Sequence, residues 1–165
     1  MTRVLSVPPP RQPGRYAVAL VCLGNICRSP MAHVVLDASL ADAGLDDRVR
    51  VSSSGTGDWH VGDPMDRRAA TALAGAGYDP TRHRARQYDD SWLDAHDLVL
   101  AMDEQNLEDL GGRSERVGLF RDFDPDGRGG EVPDPYYGGT DGFALVLAMV
   151  KRTSAELTRQ LATVV

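Results

Sequence analysis

At 165 residues the chain has the length of one ordinary domain, and with 42% hydrophobic and 25% charged residues it reads as neither disordered nor membrane-spanning. A net charge of −6 excludes a general nucleic-acid binder, because phosphate backbones are gripped by basic stripes that this sequence lacks. Its two cysteines, Cys22 and Cys27, are too few for a disulfide framework and point to a reducing, cytoplasmic setting.

Residues 1–14 end in Pro-Pro-Pro-Arg-Gln-Pro-Gly, which cannot support regular hydrogen bonding, and are expected to form a flexible extension without a signal peptide. The domain is expected over 15–165. The run Tyr-Ala-Val-Ala-Leu-Val-Cys from Tyr16 is almost wholly apolar and predicts a strand buried on both faces of a parallel sheet. Ser29-Pro30 opens a helix with Met31, Val34, Val35 and Leu36 on its inner face, and Gly44 closes it. A second strand is predicted over Arg48–Ser53 and a second helix over Asp66–Ala76, stopped by Gly77.

Asp97–Met102 repeats the buried-strand pattern, a short helix follows over Glu104–Leu110, and Arg116–Phe120 is a weaker fourth strand. A loop rich in Asp, Gly and Pro over Asp122–Gly139 then leads into a long closing helix whose apolar stripe includes Phe143, Val146, Val150, Leu157 and Leu161. Alternating strands and helices at this spacing imply one doubly wound α/β domain, with about four parallel strands and helices on both faces. In such sheets ligands bind beyond the carboxyl ends of the strands. The end of the first strand is therefore the first place to look.

That strand ends in Cys22-Leu-Gly-Asn-Ile-Cys-Arg-Ser-Pro, so a cysteine and Arg28 bracket a short loop between a buried strand and a helix N-terminus. Backbone N–H groups and the positive helix end make an anion cradle there, and Gly24 is expected to let the backbone turn tightly around the guest. The field that attracts a phosphate dianion also favours a thiolate, which makes Cys22 a nucleophile candidate. Arg28 suits the phosphoryl group because its planar fork donates two parallel hydrogen bonds, which lysine cannot copy.

The stretch resembles the phosphate loop of low-molecular-weight protein tyrosine phosphatases, Cys-x-Gly-Asn-x-Cys-Arg-Ser-Pro, and matches it at every fixed position. The resemblance continues through Asp58-Trp59-His60, His83-Arg84-Ala85-Arg86-Gln87, Met102-Asp103 and Asp134-Pro135-Tyr136-Tyr137. It implies hydrolysis of phosphotyrosine in proteins or peptides through a cysteinyl-phosphate, with Cys22 as nucleophile, Arg28 on the phosphoryl group and Asp134 as general acid. It also implies substrate contacts from Leu23, Gly24, Asn25, Ile26, Cys27, Ser29, Trp59, Tyr136 and Tyr137. Asn25, Ser29, Ser53 and His83 would form the network that holds the loop, with Asp103 as a further support. Inorganic oxyanions such as phosphate and vanadate would inhibit, and no cofactor or metal would be needed.

Plainer readings stand beside these. Asp134-Pro135 is a common turn signal, and Asp103 can simply cap the helix that follows it. Asp122-Phe-Asp-Pro-Asp-Gly127 starts like a calcium loop, but Pro133 stands where the bidentate glutamate is needed, so a solvated acidic turn is the better reading. Arg82, Arg84 and Arg86 are usual surface charge. An arsenate reductase of similar fold is the nearest alternative function; it needs an attacking thiolate outside the loop, and the chain has none. A nucleotide-binding P-loop is excluded because its Gly-x4-Gly-Lys pattern is missing and Lys151 is the only lysine.

Overall fold

The computed structural model describes residues 6–136, 138 and 140–165. The apolar run after Tyr16 forms β1 (Tyr16–Cys22), which has no solvent face and becomes the central strand. β2 (Val49–Gly55) pairs with it in parallel on one side and β3 (Leu98–Ala101) on the other, with β4 (Val117–Leu119) beyond β3, giving the order β2-β1-β3-β4.

Alternation along β1 feeds two cores. Val18, Leu20 and Cys22 point into a large cluster that α1 (Arg28–Asp42), α2 (Arg67–Gly75) and α5 (Thr140–Leu161) supply with Met31, Leu36, Leu73, Phe143 and Leu157. Ala19 and Val21 face a smaller one with Val99, Ala101, Leu107 and Leu119, flanked by α3 (Ser91–Ala95) and α4 (Glu104–Asp109). Full burial of a side chain such as Leu20 stabilises by about 1.5–3 kcal/mol, so a slip of β1 by one residue, which would exchange its two faces, is strongly disfavoured. The sheet is doubly wound as expected, and chain order reverses at β1. That reversal opens a crevice at the end of β1 where the cysteine loop lies.

Local chemistry sets the helix ends. The Asp66 side chain caps α2 by accepting from the N–H of Arg68 at 2.8 Å. Gly44, at φ +73°, ends α1 in the left-handed conformation, and Leu45 N–H closes back on Leu40 O at 2.8 Å. Pro30 is tolerated because it lies in the first turn of α1.

α3 had no sequence signal because it buries none of its residues fully. The described part of the proline-rich segment makes bonds to the domain: Val7 N–H donates to Gln160 Oε1 at 3.0 Å, Arg11 N–H to Asp97 Oδ1 at 2.7 Å, and Tyr16 O–H to Pro8 O at 2.9 Å. Prolines there prevent a regular ladder but do not prevent single bonds to distant partners.

The acidic turn after β4 is structural. Asp124, fully buried, accepts from Arg121 Nε at 2.9 Å and from Arg152 Nε and Nη2 at 2.6 and 2.8 Å, so arginines rather than a cation satisfy it. Among the described residues no helix is long and apolar enough to cross a membrane.

Candidate active site

The loop between β1 and α1 curls so that Asn25 N–H donates to Cys22 Sγ at 3.3 Å, while Ser29 Oγ lies 2.9 Å from the same sulfur. The tight turn expected at Gly24 is taken one residue later. Asn25 has φ +56°, a left-handed conformation that asparagine tolerates better than other residues with a Cβ. Gly24 serves space instead, since a Cβ there would stand 3.2 Å from His60 Cδ2. Gly55, at the end of β2, is equally constrained: its Cβ would meet Leu23 O at 2.7 Å.

Asn25 is the hub behind the loop and is fully buried. Its Nδ2 donates to Ser29 Oγ at 2.9 Å and Ser53 Oγ at 3.1 Å, and its Oδ1 accepts from Arg86 N–H at 2.9 Å. Its carbonyl accepts from His83 Nε2 at 2.6 Å. The four residues expected to hold the loop are thus joined. Asn25 and Ser29, also expected among the substrate contacts, do not line the cleft with their side chains, because those side chains point inward.

Arg28, on the first turn of α1, is 3% exposed. Its Nη1 donates to Asp103 Oδ2 at 2.6 Å and to Val132 O at 3.1 Å, and its Nη2 lies 3.7 Å from Asp134 Oδ2. Asp103 also caps α4, accepting from Asn106 N–H at 2.7 Å through its other oxygen. Asp134 likewise makes its turn, accepting from Tyr136 N–H at 3.0 Å, while its other oxygen faces Arg28.

A cavity of about 430 Å³ opens over this loop, lined by Cys22, Leu23, Gly24, Ile26, Cys27 and Arg28 on its floor and by Trp59, His60, Asp134 and Tyr136 on its walls. Trp59 is 69% exposed and Leu23 41%, an apolar rim around a charged floor. Tyr137, expected on the same wall, lies outside the described residues. His60 and Arg68 were missed. Arg68 reaches across to the acid-bearing loop, donating to Tyr136 O at 2.8 Å and Gly138 O at 3.2 Å with its guanidinium over the Tyr136 ring, and no local spacing announces a contact almost 70 residues away.

Electrostatics sort the titratable groups. Burial opposes the charge on Arg28, but Cys22, Asp103 and Asp134 together raise its pKa above the ordinary arginine value. Burial, then Asp66, Cys22 and Asp134, push the Cys27 thiol well above the usual cysteine range. Burial pulls His83 down to about 4 against the opposing effect of its bond to Asn25 O, so at neutral pH it is an uncharged donor. A sulfur, a guanidinium and a carboxylate thus share one cleft, where the end of β1 meets the N-terminus of α1, a setting suited to an anion.

Known proteins of this kind share both sequence and fold with the chain. The family described as "Low molecular weight phosphotyrosine protein phosphatase" matches residues 17–164. A low molecular weight protein-tyrosine-phosphatase of Streptomyces coelicolor is 47% identical over 150 residues, 86% of this chain and 91% of that one. The low molecular weight protein-tyrosine phosphatase A of Mycobacterium tuberculosis is 47% identical over 141 residues, 81% of this chain and 84% of that one. The crystal structure of YfkJ from Bacillus subtilis superposes with a TM-score of 0.84 at 32% identity, covering 90% of this chain and 96% of that one. Loop, cleft and whole-chain likeness agree, and the chain belongs to the low molecular weight phosphotyrosine protein phosphatase family.

Proposed function

We propose that this protein-tyrosine phosphatase hydrolyses aryl phosphomonoesters, phosphotyrosine in proteins above all, through a cysteinyl-phosphate. The observation that carries the reading is the setting of Cys22 Sγ, which receives the Asn25 N–H and lies 2.9 Å from the Ser29 hydroxyl at the floor of the cleft that Arg28 and Asp134 share. The thiolate attacks phosphorus as the P–O bond to the phenol breaks, and Asp134 gives its proton to the departing oxygen. Arg28 and the loop N–H groups hold the three equatorial oxygens. Asp134, now a carboxylate, then takes a proton from water, whose oxygen displaces the sulfur, restoring the thiolate and releasing inorganic phosphate.

Leu23, Trp59 and Tyr136 form the walls for the ring in this scheme, with Tyr137 beside them, while Gly24, Ile26 and Cys27 complete the floor. Ser53, His83 and Asp103 support the loop. Phosphate and vanadate inhibit as anions on the same floor. The protein groups in this scheme are side chains and loop N–H groups of the chain itself, residues 15–165 form the catalytic domain, and reduced Cys22 suits the cytoplasm.

The test is hydrolysis of an aryl phosphate in EDTA by wild type and Cys22→Ser. Wild type turns over and the variant retains less than about one per cent, since a serine hydroxyl does not ionise in the cradle as a thiol does. Loss of wild-type activity in EDTA, or survival of the variant, rejects the mechanism.

A further inference from the structure

The loop network has a member outside the residues named so far. His33 lies on α1, just beyond the first turn, with Nδ1 3.2 Å from Ser53 Oγ and Nε2 3.2 Å from Asp37 Oδ2. Asp37, one turn further on, only accepts when ionised, so Nε2 carries the hydrogen of a neutral His33 and Nδ1 is left as an acceptor. The Ser53 hydroxyl then has one place for its proton, His33 Nδ1. Its lone pairs face Asn25 Nδ2 at 3.1 Å.

Direction propagates from there. Arg86 N–H, donating to Asn25 Oδ1 at 2.9 Å, fixes which end of the amide is nitrogen. The two amide hydrogens of Asn25 go to Ser53 Oγ and Ser29 Oγ. Ser29 Oγ has therefore accepted from Asn25, and its own hydrogen goes to Cys22 Sγ at 2.9 Å rather than to the more distant Ser54 O at 3.4 Å. Ser53 and Ser29 are 1% and 0% exposed, so bulk water does not supply substitute partners.

We propose that His33 is a positioning residue for the phosphatase reaction, setting the direction of the Ser53–Asn25–Ser29 chain so that the Ser29 hydroxyl donates to Cys22. Without an acceptor at His33, the buried Ser53 proton must compete with the amide hydrogens of Asn25, and the orientation of Ser29 is no longer unique. The Ser29 donor matters twice. It stabilises the thiolate before attack, and again when sulfur leaves phosphorus. The plainer alternative is a surface histidine paired with Asp37 along one helix face. The groups around it are Asp37 on its own helix and, across a cavity of about 340 Å³, Tyr78, Asp79, Arg82 and His83.

The inference rests on the phosphatase reading, and its test has an arm that needs no turnover. Steady-state kinetics on an aryl phosphate compare His33→Ala, His33→Asn, Ser53→Ala and the double variant His33→Ala/Ser53→Ala, and the pH profile of Cys22 alkylation by iodoacetamide is measured for each. His33→Ala is expected to lower kcat about 3- to 10-fold, the effect of one misdirected hydrogen bond, with KM changed less than about twofold. Its alkylation profile shifts to higher pH. His33→Asn, whose Oδ1 can replace Nδ1 as acceptor, recovers most of the kcat, and the double variant matches Ser53→Ala alone because His33 acts only through Ser53.

Wild-type kcat and alkylation in His33→Ala overturn the proposal. So does an equal fractional loss from His33→Ala in both backgrounds, which marks a general structural effect. If the wild type proves inactive on aryl phosphates, the proposed function fails. The alkylation profiles still decide whether His33 directs the hydrogen bond to Cys22.

Discussion

Asp103 Oδ2 stands 2.6 Å from Arg28 Nη1, so the guanidinium is oriented from behind before any phosphate arrives. Its other oxygen caps α4, which makes the two duties separable. Asp103→Asn keeps a good capping residue but turns a charge-assisted acceptor into a neutral amide. Phosphate and vanadate inhibition constants are expected to rise about 10-fold, as for loss of a hydrogen bond to a charged group, with the melting temperature little changed. Asp103→Ala should show the same weakening plus about 1 kcal/mol of lost stability from the cap. Unchanged inhibition constants in both variants would show that Arg28 needs no support.

Asp134 is expected to reveal its role through the leaving group. Expelling a phenolate whose acid has a pKa near 10 is costly, and a positioned acid contributes about 10²–10⁴-fold. Asp134→Asn should slow the phosphorylation step greatly for phosphotyrosine and much less for nitrophenyl phosphate. Single-turnover measurement isolates that step from the later hydrolysis, where the same residue is the proposed base. Equal losses for every leaving group would reduce Asp134 to the turn that its bond to Tyr136 N–H already makes.

The two loop cysteines should oxidise in order. Cys27 is buried and its thiol is pushed up by burial, Asp66 and Cys22, so it is a poor first target for peroxide. The Cys22 thiolate attacks peroxide, breaking its O–O bond to give a sulfenic acid and hydroxide, and the Cys27 thiol then displaces water from the sulfenic acid to form a disulfide. Mass spectrometry should find the loop peptide two hydrogens lighter, reversibly with dithiothreitol. Only sulfinic or sulfonic acid on Cys22 would reject capture by Cys27.

The burial of neutral His83 predicts a window of pH-dependent stability. Its folded pKa of about 4 lies below the ordinary 6.5, so between those values the unfolded chain binds the extra proton. Stability from this group is therefore complete above pH 6.5 and falls as pH drops toward 4, by at most about 1.4 kcal/mol per pH unit, less the screening that partial exposure brings. His96 is depressed in the same direction by burial, so the informative comparison is with His83→Gln. Its Nε2 can still donate to Asn25 O, but it does not titrate. Denaturant melts from pH 4 to 7 should show a shallower slope for the variant, and parallel curves would contradict the assignment.

What was legible in the sequence is what chemistry writes into consecutive residues. β1, the cysteine loop and the start of α1 lie in one unbroken stretch, where an apolar run, Cys22, Arg28 and Ser29-Pro30 already imply strand, anion cradle and helix N-terminus. The parallel sheet followed from alternation of strand and helix. Asp134 was legible only through resemblance, because Asp-Pro by itself says no more than turn.

Tertiary structure alone decided the contacts between distant segments. Strand order and the register that sets Cys22 beside Gly55 determine that a Cβ at residue 55 would strike Leu23 O. Arg68 reaches the Tyr136 carbonyl, His60 forms a cleft wall, and His33 faces Ser53, all across elements that local periodicity does not relate. The loop's left-handed residue also moved from the expected Gly24 to Asn25. That conformation is held by partners from Ser53, His83 and Arg86 that only the folded sheet delivers. Spacing reports neighbours along a strand or helix face, whereas these bonds depend on where whole elements come to rest.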